Sequence, residues 1–227
     1  MQGAGFGAYG KIPSIGDFFR LEVPAGFVTV WDNWLQRCLV SGTHTYGAGW
    51  DALYMSVPIW RFCLSAGVAG PAAVIGVLMP SVDRVGRRFP LTLMAPLSAG
   101  GSLVQDHFLN NDLFQALEDV ALAALDDGAS RENLSAALAA LPVPVQGTAV
   151  QIANGSREIA LKNGRSETEL LIALAGQCAT AHLAAPSLWS ADFAGDQRLM
   201  ICEGLPEGAK MQGLFDFQAP IWAEGAA

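Results

Sequence analysis

The sequence predicts an α/β protein: a three-layer αβα sandwich around a mixed, largely antiparallel sheet. Three observations carry that prediction. Strand-like and helix-like periods are mixed along the whole chain, with no composition break between them. The stretch AAVIGVLM, residues 72–79, is apolar throughout, so as a strand it needs cover on both faces. Three neighbouring strand-like runs are joined by short links, which favours an antiparallel meander. At 227 residues and 52% hydrophobic, the chain can bury a sizeable core. It reads as one domain, 1–227, in which the helical stretch 102–141 is either integral or a subdomain.

The elements follow in order. GFGAYGK reads as a short edge strand before a turn at IPSIGD. After Pro24, GFVTVWDNWLQRCLV places Phe27, Trp31, Trp34, Leu35 and Cys38 on one helical face, the pattern of a core-facing helix. At residues 59–64 the period changes to that of a strand, and 72–79 and 89–97 supply two more. NDLFQALEDVALAALDDG then predicts a helix capped by Asn111, with Leu113, Leu117, Val120, Ala121 and Ala124 inward and Gly128 as its stop. A second helix runs from Ser130 to Pro142. TAVQIANGSREIALK signals a hairpin turning at Asn154-Gly155, because a type I′ turn needs positive φ at both central residues. Asn163-Gly164 reads as another turn, and a capping box from Ser166 to Glu169 opens the next helix. SLWSADF and QRLMICEG read as closing strands, while AKMQGLFDF is ambiguous.

Composition excludes several function classes. A net charge of -8 argues against a nucleic-acid partner, which needs an excess of Lys and Arg. The charge is uneven: residues 1–100 carry seven basic and five acidic groups, and residues 101–227 carry six and sixteen. Two surfaces of different sign can orient a protein partner; equally, the acids can serve only to keep helices solvated. No apolar run is long enough to span a membrane, and MQGAGFGAYGKIPS lacks the pattern of a secretory signal. The expected location is cytoplasmic, with Cys38, Cys63, Cys178 and Cys202 reduced, buried and inert.

Familiar catalytic patterns are incomplete. Gly5, Gly7 and Gly10 match a dinucleotide fingerprint, and Gly5 to Lys11 match the start of a phosphate loop. The loop needs Ser or Thr where Ile12 stands, both need a strand before the glycines, and Pro13 disfavours the helix that follows. The glycines therefore read as a flexible start. His44, His107 and His182 are isolated, the cysteines are unpaired in spacing, and there is no nucleophile elbow. Glu118-Asp119 and Asp126-Asp127 read as solvated helix acids. No cofactor or metal is expected.

One segment stands out. PSVDRVGRRFPL, residues 80–91, places Asp83, Arg84, Arg87 and Arg88 between two apolar strands. Pro80 and Pro90 limit its freedom and Gly86 permits a turn. Asp83 pairs with Arg61, Arg84 or Lys11 and braces the sheet end, or the guanidinium groups face out and bind a carboxylate or phosphate.

Several segments in this order resemble the TagF/ImpM family of type VI secretion-associated proteins: GKIPSIGDFFR (10–20), VWDNWLQ (30–36), PIWRF (58–62) and GVLMPSVDRVGRRFPLT (76–92). The matching positions include Gly10, Lys11, Pro13, Gly16, Asp17 and Phe18, Trp31 and Trp34, Trp60 and Arg61, and Asp83, Arg84, Gly86 and Arg87. SLWSADF and CEGLP are similar more loosely, and residues 100–185 carry no such signature. The resemblance implies a three-layer α/β sandwich and a cytoplasmic accessory that restrains assembly or firing of the secretion machine. It would work beside a forkhead-associated scaffold protein and a kinase/phosphatase pair, with no enzymatic activity of its own. The first expectation is thus a regulatory binding protein with an ionic cluster of Lys11, Asp17, Arg61, Asp83, Arg84 and Arg87. The alternative is a small enzyme or sensor that takes a phosphorylated or carboxylated ligand through Arg84, Arg87 and Arg88. A stable subunit of the machine is a third reading, though the chain has no repeat suited to a tube or filament.

Overall fold

A computed structural model describes residues 5–126, 128–146, 151–154, 159–162 and 166–223. The chain begins with two short strands, β1 (Gly7–Gly10) and β2 (Phe19–Leu21), followed by the long helix α1 (Phe27–Tyr46) and the short α2 (Trp50–Ser56). The meander β3 (Trp60–Leu64), β4 (Ala73–Met79) and β5 (Leu91–Leu97) comes next. Helices α3 (Leu103–Phe108), α4 (Asn111–Ala123) and α5 (Arg131–Ala139) precede the hairpin β6 (Gln151–Asn154) and β7 (Ile159–Lys162). Then α6 (Glu167–Thr180), β8 (Pro186–Phe193), β9 (Asp196–Glu203) and α7 (Ala209–Phe215) complete the order.

Seven strands form one sheet in the order β2-β1-β5-β4-β3-β8-β9, and β6 and β7 pair separately. The predicted sandwich is present, and every pairing in it is antiparallel. The predicted meander is β3-β4-β5 at the sheet's centre.

Side-chain alternation divides the interior into two cores. On one face, Trp60 and Phe62 of β3, Val74 and Leu78 of β4, and Trp189 of β8 meet α1, α2 and α7. The α1 stripe of Phe27, Trp31, Trp34, Leu35 and Cys38 is buried as its spacing predicts. Trp31 packs between Phe62 and Trp189, with ring centroids 5.0 and 6.0 Å away. Buried indoles need hydrogen-bond partners. Trp31 Nε1 donates to Thr92 Oγ1 at 2.9 Å, Trp34 Nε1 to Pro206 O at 2.8 Å and Trp60 Nε1 to Leu214 O at 2.8 Å. Gly76 lies opposite Phe62 in the register. A Cβ there would stand 2.2 Å from Leu93 O and 2.8 Å from the Phe62 ring, so only glycine lets the ring cross β4.

The opposite face carries Cys63, Ile75, Val77, Leu91 and Leu93 against Leu113, Phe114 and Leu117 of α4 and Leu134 and Leu138 of α5. Deleting a buried ring from either core costs about 3–5 kcal/mol. Helix α3 packs over β3 and β8, and α6 packs on α3.

Several local expectations change. β1 is interior to the sheet, between β2 and β5, and β2 is the edge. The strand read at GFGAYGK is present from Gly7, and its glycines serve close packing instead of flexibility: Glu22 O would lie 2.4 Å from a Cβ on Gly7. At Gly10, φ is 139° and Pro90 O would lie 2.1 Å from a Cβ, so the chains approach too closely for a side chain. Asn111 is the first residue of α4 rather than its cap, and the helix ends at Ala123, short of Gly128. Val120 is only partly buried. Ser130 and Ser166 cap α5 and α6 as expected, accepting from Asn133 N and Glu169 N at 3.1 Å each. Residues 209–215, ambiguous by pattern, are the helix α7. In the hairpin, Asn154 pairs with Ile159, so it is a strand residue. The rest of that turn, and the turn at Asn163-Gly164, lie outside the described residues. Cys178 is exposed, whereas the other three cysteines are buried and all four are free. Among the described residues, no helix is long and apolar enough to cross a membrane.

Candidate functional site

Two loops meet at one end of the sheet: 11–18, joining β1 to β2, and 80–90, joining β4 to β5. The second loop folds back on itself through a bridge between Val82 and Arg88. Asp83 closes its tip, residues 84–86, donating from N to Arg87 O and accepting at O from Gly86 N. Asp83 Oδ1 accepts from Val85 N at 3.0 Å and Arg87 N at 2.9 Å, the local pairing that favours Asp in turns. Gly86 takes the left-handed conformation the turn requires, with φ 81°. From α2, the Tyr54 hydroxyl donates to Ser81 O at 2.8 Å and accepts from Ser81 N at 3.0 Å, fixing the loop's entry.

The ionic contacts tie this tip to the first loop. Lys11 Nζ lies 3.0 Å from Asp83 Oδ2, and both residues are buried. Arg87 Nε donates to the same oxygen at 2.6 Å, and Arg87 Nη2 donates to Gly16 O at 2.8 Å. Arg84 N donates to Ile15 O at 3.3 Å. Burial by itself would raise the Asp83 pKa. The hydrogen bonds from Arg87 N, Lys11, the Arg87 side chain and Val85 N outweigh it and hold the carboxyl well below the usual carboxylate range. Beside this network, Phe18 packs edge-on to Phe89 at 4.8 Å and stacks on Tyr9 at 6.0 Å. Lys11 Nζ sits 5.1 Å from the Phe18 ring centroid.

Of the six residues predicted as one ionic cluster, Lys11, Asp83 and Arg87 form it directly. Arg84 belongs by backbone and position, because its Nη2 would be 3.3 Å from a Cβ on Gly16. Asp17 makes a local contact instead, accepting from Phe18 N at 2.7 Å. Arg61 is elsewhere. It donates through Nε and Nη2 to the two oxygens of Glu118 at 2.6 and 2.8 Å, and through Nη1 to Asn111 Oδ1 at 2.8 Å. Asp83 therefore pairs with Lys11, as one of the expectations had it, and not with Arg61 or Arg84. Glu118 is correspondingly not a solvated helix acid: its side chain is 16% exposed. Arg88 pairs with Asp51 of α2, so Arg84, Arg87 and Arg88 do not share one anion-binding fork.

A second site escaped the sequence reading. Arg61, His107, Asn111, Phe114, Ser190 and Leu199 line a cleft of about 250 Å³ between β3, β8, β9 and the helices α3 and α4. His107 Nε2 lies 2.8 Å from Ser190 Oγ. This pair has the look of a nucleophile and its base, but the chemistry is unfavourable. Burial, and secondly the charge of Arg61, lower the His107 pKa to about 3, which makes a weak general base at neutral pH. Its Nδ1 has no hydrogen-bond partner among the described residues, so the orienting third member of a triad is missing. No sequence signal joins these residues: Ser190 reaches Arg61 only through the β3-β8 register. Among the described residues, no group of three or more His, Cys, Asp or Glu side chains is placed to hold a metal ion.

Comparisons with known proteins bear on the chain as a whole. Residues 7–141 match the family model described as the TagF N-terminal domain, type VI secretion system-associated. The match covers both loops of the corner and continues through α5, beyond the first hundred residues where the recognisable motifs lie. The crystal structure of PA0076 from Pseudomonas aeruginosa PAO1 is similar with a TM-score of 0.78 and 30% identity, over 94% of this chain and 95% of that one. No curated protein matches. A match over more than half of the chain, with that likeness along nearly all of it, means that this chain belongs to the TagF family of type VI secretion-associated proteins.

Proposed function

We propose that this chain is a non-enzymatic, cytoplasmic regulator of a bacterial type VI secretion system. It restrains assembly or firing after translation by binding a protein of the machine, with a forkhead-associated scaffold protein as the first candidate. It works as one TagF-like domain, 1–227. The observation that supports this reading best is how the motif residues are used. Lys11, Asp83 and Arg87 satisfy one another at a rigid loop corner instead of converging on a cleft. A braced corner at a sheet end suits recognition of a macromolecule more than turnover of a small one.

The test is overproduction and deletion in a secreting bacterium. Secretion should fall on overproduction and rise on deletion, and the tagged chain should co-purify with a type VI component. Unchanged secretion in both strains, with no component recovered, overturns the reading. The alternative, a small-ligand site at Arg84, Arg87 and Arg88, is weakened because two of those three guanidinium groups already hold acids of this chain.

A further inference from the structure

The inner layer of the corner is closed, since each donor of Lys11 and Arg87 described above meets Asp83 or Gly16 O. Its outer layer is open. The Arg84 side chain makes no ion pair and no hydrogen bond among the described residues. Gly16 lets that guanidinium lie along the neighbouring loop: a Cβ there would be 3.3 Å from Nη2. Part of the entropy of ordering a long side chain is thereby removed before any partner arrives. The adjoining loop positions expose two apolar side chains, Phe18 at 46% and Val85 at 70%. Phe18 is nonetheless held, by Phe89 and Tyr9 at its edge and face. A positioned arginine beside a rigid aromatic ring is the composition of an interface anchor.

We infer that Arg84, with Phe18 and Val85, is the docking face of this chain, and that its occupant is an acidic segment of a partner protein. A carboxylate of that segment pairs with the Arg84 fork, and an apolar side chain next to it covers Phe18 and Val85. This rests on the reading that the chain acts by binding a protein. Charge selects the occupant. Lys11, Arg84 and Arg87 outnumber Asp83 and Asp17 at the corner, in a chain whose net charge is -8, so an acidic segment is drawn to this corner more than to the chain as a whole. A phosphate dianion fits less well. It needs several converging donors, whereas Arg87 and Arg88 are engaged with Asp83 and Asp51. The exposed Asp17 repels a dianion more strongly than the single carboxylate of an acidic segment.

The test uses fluorescent peptides tiled over the type VI secretion proteins of the source bacterium, titrated against the full-length protein. The peptides that bind should carry Asp or Glu next to an apolar residue, and binding should weaken as salt rises. Arg84→Glu and Phe18→Ser should each weaken binding by about tenfold or more. Arg84→Gln keeps the side chain's bulk and should show a smaller loss in the same direction, and Arg37→Glu, on the exposed side of α1, should leave affinity unchanged. Thermal melts of each variant confirm that the fold is intact. Binding only by phosphorylated peptides, displacement by inorganic phosphate, selection of basic peptides, or no bound peptide overturns the proposal. So does unchanged affinity in Arg84→Glu. If a full-length type VI component still binds Arg84→Glu tightly, docking lies elsewhere and the regulatory reading stands. Only unchanged secretion on overproduction and deletion, with no type VI component recovered, removes that reading itself.

Discussion

Arg61 and Arg84 are the same residue type put to opposite uses. The Arg61 side chain is 21% exposed, grips both oxygens of Glu118, donates to Asn111 and lies over Phe114 with its central carbon 5.6 Å from the ring centroid. Arg84 is exposed and, among the described residues, has no acid of its own. Arg61 therefore pins α4 to β3, while Arg84 remains available to a partner. What separates them is the balance of acceptors nearby, since a sheltered guanidinium must be neutralised and a solvated one need not be. The corner shows the same rule within a single network: Lys11 and Arg87 together meet the one sheltered carboxylate, and Arg84 is left over.

Breaking the Arg61 site should have the largest effect. Glu118→Ala leaves a sheltered guanidinium without its carboxylate and should cost about 2–4 kcal/mol, read as a lower urea midpoint with an unchanged slope. If that midpoint matched the wild type, Arg61 would be no more a brace than Arg84.

Acid should expose the same site next. His107 is neutral in the fold, its pKa lowered from 6.5 to about 3, whereas in the unfolded chain it takes a proton below about 6.5. The unfolded state binds more protons in that window, so stability falls as the pH drops. By pH 5 the loss should be about 2 kcal/mol. His107→Leu should abolish that part of the slope between pH 7 and 5. In Arg61→Met the His107 pKa should rise, by NMR titration, because one of the two causes of its lowering is gone.

At the corner, the sign is the same but the window is lower. The Asp83 pKa is held below its ordinary value of 3.8, so its contribution is full above that value and is lost as the pH falls below it. Asp83→Asn should lower the urea midpoint at pH 7, and the gap to wild type should begin to narrow below about pH 4 and go on narrowing as the pH falls further. A gap that persisted unchanged into acid would show that the carboxylate's charge is not what braces the two loops. The smallest stability effect belongs to Arg84→Ala, within about 0.5 kcal/mol of wild type. A larger loss would make Arg84 structural and remove the contrast with Arg61.

The parts of the fold that were legible before any coordinates are those with a strong local period. The α1 stripe, the run 72–79 and the Ser130 and Ser166 caps all appear as read. Short elements were missed: α2 and α3 have seven and six residues, too few turns for a face to declare itself. The N-terminal strand was legible in GFGAYGK but its interior place was not, because a nearly side-chain-free strand packed tightly between two others has the composition of an edge or a loop. The site was half legible. The charge density of 80–91 marked the corner and Lys11 was among the proposed partners of Asp83, yet Arg61 and Glu118 were both misassigned.

Composition and periodicity, read without coordinates, determined the layered α/β architecture, the meander at its centre and the place where charge gathers. These are local properties: a helical or strand period, a cap or a turn residue acts over a few positions. Which charges meet was decided only by the tertiary structure. Lys11 and Asp83 are 72 positions apart, and Arg61 and Glu118 are 57 apart. Their meeting depends on the order of the strands and on which face each side chain takes, and a slip of one residue in register would turn Arg61 to the tryptophan face, away from Glu118.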